Sequence, residues 1–274
     1  MAEVNHAPIG VFDSGIGGLT VTREIMRQIP KEKIVYFGDT ARVPYGSKSK
    51  STIIRYTRQI IRFLKTKEVK AIVVACNTAS AFALEEIRAE LDIPIIGVVK
   101  PGALAAAIST QNEKIGVIGT VGTIESKLYT KMIHEHNTRI QVLGTACPLF
   151  VPLVEEGWIE DPVTAEVARR YLSSLKDTGI DTLILGCTHY PLLKGTIQGI
   201  MGEGVTLINP AYETAKSLKN LLEEHGIAND GTYKQEEAMY QFYVSDAAER
   251  FMNFANSILP YDVDTTKLIS IEEY

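Results

Sequence analysis

The chain has 274 residues, 45% hydrophobic and 22% charged, with a net charge of −5. That is the composition of an ordinary globular protein with enough chain to bury a large core, as one large domain or two smaller ones. No stretch gathers Lys and Arg on one face, and no run approaches the roughly 18 apolar residues of a membrane span, so neither nucleic acid nor a membrane is an expected partner. The opening MAEVNHAPIG lacks the apolar region of a signal peptide. Cys76, Cys147 and Cys187 are sparse and odd in number, which fits reduced thiols in a cytoplasm better than a disulfide framework.

Short apolar runs alternate with longer helical-period segments. Residues 9–12, 33–37, 71–75, 95–98, 114–118, 139–143, 182–185 and 206–208 read as strands. Residues 52–65 read as a helix, with Ile53, Ile54, Ile60, Ile61 and Leu64 recurring at helical spacing. The basic residues between Arg42 and Lys70 are interleaved with apolar ones and read as its solvated face. Asp161-Pro162 and Asn209-Pro210 each place a capping side chain before a proline at the first helical position. This rhythm predicts an α/β protein with mainly parallel, doubly wound sheets. Only 240–244, a strand after a polar loop, breaks it.

The plan also repeats. Ile9-Gly10-Val11 leads to Asp13-Ser14-Gly15 and a helix; Ile115-Gly116-Val117 leads to Gly119-Thr120-Val121-Gly122 and a helix. About seventy residues after each comes an apolar strand ending in cysteine, AIVVACNTAS at 71–80 and TLILGCTHYP at 182–191. Two lobes of similar plan would each carry one cysteine at the carboxyl end of a strand, where open α/β sheets place their ligands.

In GVFDSGIGGLT (10–20) a strand delivers Asp13 and Ser14 into a loop whose glycines allow close backbone approach, and the following helix N-terminus favours an anion. It is not a dinucleotide fingerprint, because Thr20 stands where the third glycine is needed. A small carboxylate suits the loop better than a pyrophosphate facing Asp13. Asp39 and the loop carrying Tyr45 and Gly46 follow the second strand and should share that rim. Cys76 precedes Asn77 and Thr78 at a helix start, which should lower its thiol pKa. Cys187 sits in the equivalent place, with Thr188 and with His189 able to stabilise a thiolate or shuttle its proton. Glu155-Glu156 is either a solvated helix end or a rim acid. Cys147 and Trp158 read as packing residues, and His134 and His136 as surface residues.

Four chemistries compete for two cysteines facing a cleft. A Cys187–His189 hydrolase leaves Cys76 idle. Zinc could use Cys76, Cys187 and His189, but the spacings are not those of paired ligands. A redox dithiol wants C-x-x-C or a nearby resolving thiol. Inversion of a carbon centre uses both symmetrically, one thiol taking a proton from one face while the other delivers one to the opposite face. A free thiol pKa of about 8.5 puts both states within reach of modest tuning. Electrostatic stabilisation of the carbanion would then come from N–H groups and polar side chains directed at a substrate carboxylate, with Asp13 and His189 as partners of the thiols.

In this order and spacing GVFDSGIGGLT, VYFGDTARVPYG, ACNTAS and GCTHYPLL resemble the signatures of the glutamate racemases, within the aspartate/glutamate racemase superfamily. The match runs from about Ile9 to Tyr212, VPLVEEG (151–157) is also similar, and no motif departs. The resemblance implies cofactor-independent interconversion of L- and D-glutamate, supplying D-glutamate for peptidoglycan. It implies two α/β lobes, residues 1–97 with 209–274 and residues 98–208, with the active site between them. Carried over by position, Cys76 and Cys187 are the proton carriers. Asp13, Ser14, Tyr45, Gly46, Asn77, Thr78, Thr188 and His189 are the substrate contacts, and Asp39 and Glu155 are acids that tune the site. No metal or pyridoxal phosphate is expected, since two thiols suffice and the motif loops hold no lysine beyond Lys48. A homodimer is expected because such racemases commonly form one.

Overall fold

A computed structural model describes residues 5–232 and 238–274 of the chain. Ten strands are found among them: β1 (Ile9–Asp13), β2 (Ile34–Gly38), β3 (Ala71–Val74), β4 (Ile95–Gly97), β5 (Lys114–Gly119), β6 (Gln141–Ala146), β7 (Thr182–Gly186), β8 (Thr206–Ile208), β9 (Tyr240–Val244) and β10 (Thr266–Leu268). They form two sheets, in the orders β10-β9-β2-β1-β3-β4 and β6-β5-β7-β8, and every pairing is parallel.

Strand periodicity explains why both faces of each sheet are covered. In the larger sheet Ile9, Val11, Ile34, Tyr36, Ala71 and Val73 point into one apolar core, while Phe12, Val35, Phe37, Ile72 and Val74 point into another. In the smaller, Ile115, Val117 and Ile184 face one core and Ile118, Leu183 and Leu185 the other. Helix Leu19–Gln28 and helix Pro210–Glu224 pack together, and the latter also packs on helix Val99–Ser109, which lies against β7. The chain between the two sheets is thus a packed seam.

The internal repeat is real at the level of topology. Strands β2-β1-β3-β4 and β6-β5-β7-β8 occur in the same spatial order. Each has a point between its first and third strands in sequence, β1/β3 and β5/β7, where the connections leave for opposite sides. Crevices open there, beyond the carboxyl ends of the strands. Asp13 and Cys76 stand at one switch point, Thr120 and Cys187 at the other.

Several details differ from the sequence expectation. β6 lies later than 139–143 because it runs through Gly144-Thr145 in register with Val117 and Ile118, where a sequence reader sees a turn. β9 does not break the parallel rhythm, since it pairs with β2 in register, and β10 extends that edge. Trp158 is not a packing anchor: it is 48% exposed, and its carbonyl merely accepts from Thr164 Oγ1. His134 is half-buried, with Nε2 hydrogen-bonded to the Ile140 carbonyl. The basic stretch is solvated only in its middle, where Lys50, Arg58 and Lys65 pair with Glu86, Glu90 and Asp92. At its ends, buried Lys70 pairs with Glu32, and Arg42 pairs with Asp39 while stacking on the Tyr56 ring.

Candidate active site

Both switch points face one cavity of about 380 Å3. Ser14, Tyr45, Gly46, Cys76, Asn77 and Thr78 line it from the first lobe; Thr120, Glu155, Cys187, Thr188 and His189 line it from the second. That volume lies in the range for a small-molecule site.

Cys76 caps helix Asn77–Phe82, its Sγ accepting from the Ala79 N–H at 3.4 Å and lying 3.7 Å from Ser14 Oγ. The helix end was expected to lower its pKa; the structure reverses this. Burial and the neighbouring Asp13 charge push the thiol up to about 12, against weaker help from Ala79 and Ser14. A six-residue helix has little dipole to offer against full burial.

Cys187 follows β7, with Sγ 3.8 Å from His189 Nδ1. On the other side of the ring, Nε2 meets Glu155 Oε1 at 3.0 Å. Burial disfavours the charged ring, but hydrogen bonds and charges of Cys187 and Glu155 outweigh it and push His189 up to about 10. Burial opposes Glu155 ionisation too, and its bond to the imidazolium still holds its pKa below the usual value. Glu155 is therefore a rim acid, while Glu156 is exposed and faces Arg250. The relay Cys187–His189–Glu155 is built entirely from the second lobe.

The glycine loop is not the open anion cradle that its sequence predicts. Asp13 Oδ2 itself accepts from the Gly15 and Gly18 N–H groups at 3.2 and 2.9 Å, filling the helix N-terminus. Asp13 is buried beneath the loop; burial pushes its pKa up, and the His189 charge and these N–H groups pull against that. Only Ser14 and Gly15 of the loop reach the cavity wall. Gly17 has another reason to be glycine: a Cβ there would lie 2.4 Å from Thr188 Oγ1 and 2.5 Å from the His189 ring. The loop is a seat for the second lobe, fastened by Thr20 Oγ1 donating to the Thr188 carbonyl at 2.8 Å.

Asp39 immediately follows β2, its N–H donating to the Asp13 carbonyl, but its carboxylate does not line the cavity. It accepts a short hydrogen bond from the Tyr45 hydroxyl and others from Arg42 and Ser245. Burial pushes its pKa up, and those partners pull it back. Its reach into the site is through Tyr45. Cys147 is a buried packing residue, as expected. Sequence reasoning passed over Thr120, whose hydroxyl lies 3.0 Å from Thr78 Oγ1 across the seam. The repeat held the signal, since Thr120 stands where Ser14 stands in the first lobe. Val151 and Pro152 on the cavity wall open the VPLVEEG stretch that the resemblance included, whereas Ser245 behind Tyr45 left no local signal.

A family model for Asp/Glu/hydantoin racemases matches residues 9–218. The chain is 47% identical to the glutamate racemase of Geobacter metallireducens, covering 96% of this chain and 97% of the relative. It is 50% identical to that of Oceanobacillus iheyensis, covering 91% and 90%. Among solved structures, a Bacillus anthracis glutamate racemase superposes with a TM-score of 0.92 at 43% identity over 97% of this chain and 98% of that one. A Francisella tularensis glutamate racemase in complex with D-glutamate gives 0.90 at 41% over 98% and 100%. An aspartate racemase from Picrophilus torridus, 16% identical with a TM-score of 0.54 over 80% and 94%, shares the fold. On a family model spanning most of the chain and relatives close to half identical along it, the chain belongs to the aspartate/glutamate racemase family of amino-acid racemases.

Proposed function

We propose that the chain interconverts L- and D-glutamate without a cofactor, using Cys76 and Cys187 as the two bases. The observation that carries this reading is that the two thiols, on equivalent strands of repeated lobes, line one cavity. The relatives named above support glutamate over aspartate. The sheet membership of the strands supports lobes dividing near residues 97–98 and 208–209.

In one direction, a thiolate at one cysteine takes the substrate Cα proton, breaking C–H and forming S–H. The carbanion is held by donors aimed at the carboxylate, from Ser14, Asn77, Thr78 and Thr188. The opposite thiol then delivers its proton to the other face, which inverts the centre. With its pKa near 12, Cys76 rests as the protonated partner. The His189 imidazolium gives a Cys187 thiolate its counter-charge, and Glu155 holds the ring in place. The next substrate, running in reverse, or proton exchange through His189, resets the pair. A zinc reading needs three donors gathered on one point, and no such group of His, Cys, Asp or Glu occurs among the described residues. From the same resemblance we infer a cytoplasmic homodimer supplying D-glutamate to peptidoglycan, so that deletion of the gene should make growth depend on added D-glutamate.

The test is α-proton exchange in D2O with protein given no pyridoxal phosphate or metal. Both glutamate enantiomers should exchange and lose optical activity, while Cys76→Ala and Cys187→Ala should each abolish racemisation. A requirement for a cofactor, or full racemisation in either variant, sinks the reading.

A further inference from the structure

Tyr129 belongs to none of the motifs, yet it touches both cysteine loops. It lies in the first turn of helix Leu128–His136, which starts after a left-handed Lys127 (φ +53°) and is tied down by Ser126 Oγ accepting from the Leu128 N–H. The side chain is 3% exposed. Its ring rests on the backbone immediately before Cys187, since a Cβ built on Gly186 would come within 3.1 Å of it. Its hydroxyl donates to Asn77 Oδ1 at 2.7 Å, on the residue immediately after Cys76.

Asn77 lines the cavity and is otherwise 4% exposed. With Oδ1 engaged by Tyr129, the amide is fixed in one orientation and its N–H2 remains for a ligand. No other side chain hydrogen bond to Asn77 occurs among the described residues. One side chain therefore fixes the second-lobe thiol loop from behind and orients a donor at the first-lobe thiol. Burial and the Cys187 charge both push the Tyr129 hydroxyl pKa up, so it stays a donor throughout the neutral range.

We propose that Tyr129 is a positioning residue of this reaction, its ring and hydroxyl together setting the separation of the Cys76 and Cys187 loops and turning the Asn77 N–H2 toward the substrate. The inference rests on the two-thiol reading above. A proton transfer between opposed carriers is sensitive to displacement, because a misplacement of about 1 Å can cost about a hundredfold in rate. An amide free to flip also presents its oxygen to a carboxylate in one of its two orientations, which weakens binding.

The experiment compares wild type, Tyr129→Phe, Asn77→Ala and the double variant, with kcat and KM measured for both glutamate enantiomers and Tm recorded for each. Tyr129→Phe keeps the ring on Gly186 and removes one oxygen. The expected result is a fall of about ten- to hundredfold in kcat/KM, with KM raised in both directions and Tm nearly unchanged. In the double variant the losses should fall well short of multiplying, because both substitutions break the same contact. Unchanged kinetics in Tyr129→Phe, fully multiplicative losses, or a variant that loses activity only in proportion to lost folded protein would overturn the proposal. The two-thiol reading stands or falls separately, on whether Cys76→Ala or Cys187→Ala in the otherwise native chain still racemises.

Discussion

The two thiols are alike in sequence and unlike in surroundings. Cys76 is closed in with the Asp13 carboxylate, and burial and that charge raise its pKa to about 12. Cys187 faces an imidazole whose pKa is pushed up to about 10. Because that value is raised, His189 is charged through the neutral range and loses its proton only as pH rises through about 10. Racemisation should accordingly fall on the alkaline side. Glu155→Gln removes a hydrogen-bonded charge that raises the imidazole pKa, so burial gains ground and the alkaline limb of the kcat profile should move about 1 pH unit or more toward neutrality. A limb that stays put in this variant would mean that His189 does not control it. The identities of these groups were plain in CNT and CTH. Their protonation states were not, because burial, the largest influence on both, has no local sequence signature.

Among the elements, the buried strands were legible almost residue for residue, since a buried parallel strand must be a short apolar run, whereas the exposed edge strands β6 and β10 were displaced or missed. Caps were equally legible: Asp161 and Asn209 accept from Val163 and Ala211 N–H groups as their sequence context demands. Connections were less so. Asp181, just before β7, holds the turn entering β5, accepting from Thr110 Oγ1 at 2.6 Å and from the Gln111 and Asn112 N–H groups at 2.7 and 2.8 Å. Burial opposes its ionisation, but these donors outweigh it and hold its pKa below the usual value. With the folded pKa depressed, its contribution is present above the ordinary Asp pKa of about 3.9 and is lost as pH falls through the folded value. Asp181→Ala should lower stability by about 1 kcal/mol at neutral pH, reduced by solvent at this rim, or about 2–4 °C in Tm. The loss should shrink in acid. Equal Tm values for variant and wild type at pH 7 would contradict this.

At the scale of the molecule, the cavity exists only because two sheets present their switch points to each other across a packed seam. Gly17 against Thr188 and His189, Thr20 on the Thr188 carbonyl, and Thr78 against Thr120 all join residues far apart in the chain. A ligand held by both lobes should stabilise the whole fold and shield both thiols together. At a hundred times its Kd, glutamate of either hand should add about 2.7 kcal/mol of stability. Thermal shift should read this as several degrees, and alkylation of Cys76 and Cys187 should slow in parallel. Protection of one thiol alone would place the ligand on one lobe and not between them.

From the sequence alone came the parallel α/β class, the repeat, and four stretches whose residue types fit proton transfer at carbon. Those depend on local periodicity, turn chemistry and side-chain identity, which neighbours along the chain decide. Tertiary structure alone decided that Gly17 seats Thr188 and His189, that burial pushes the Cys76 thiol pKa up, and that Tyr129 joins the two cysteine loops. Each of these depends on burial or on contact between segments tens of residues apart or more, and only the packed chain brings such segments within hydrogen-bonding distance.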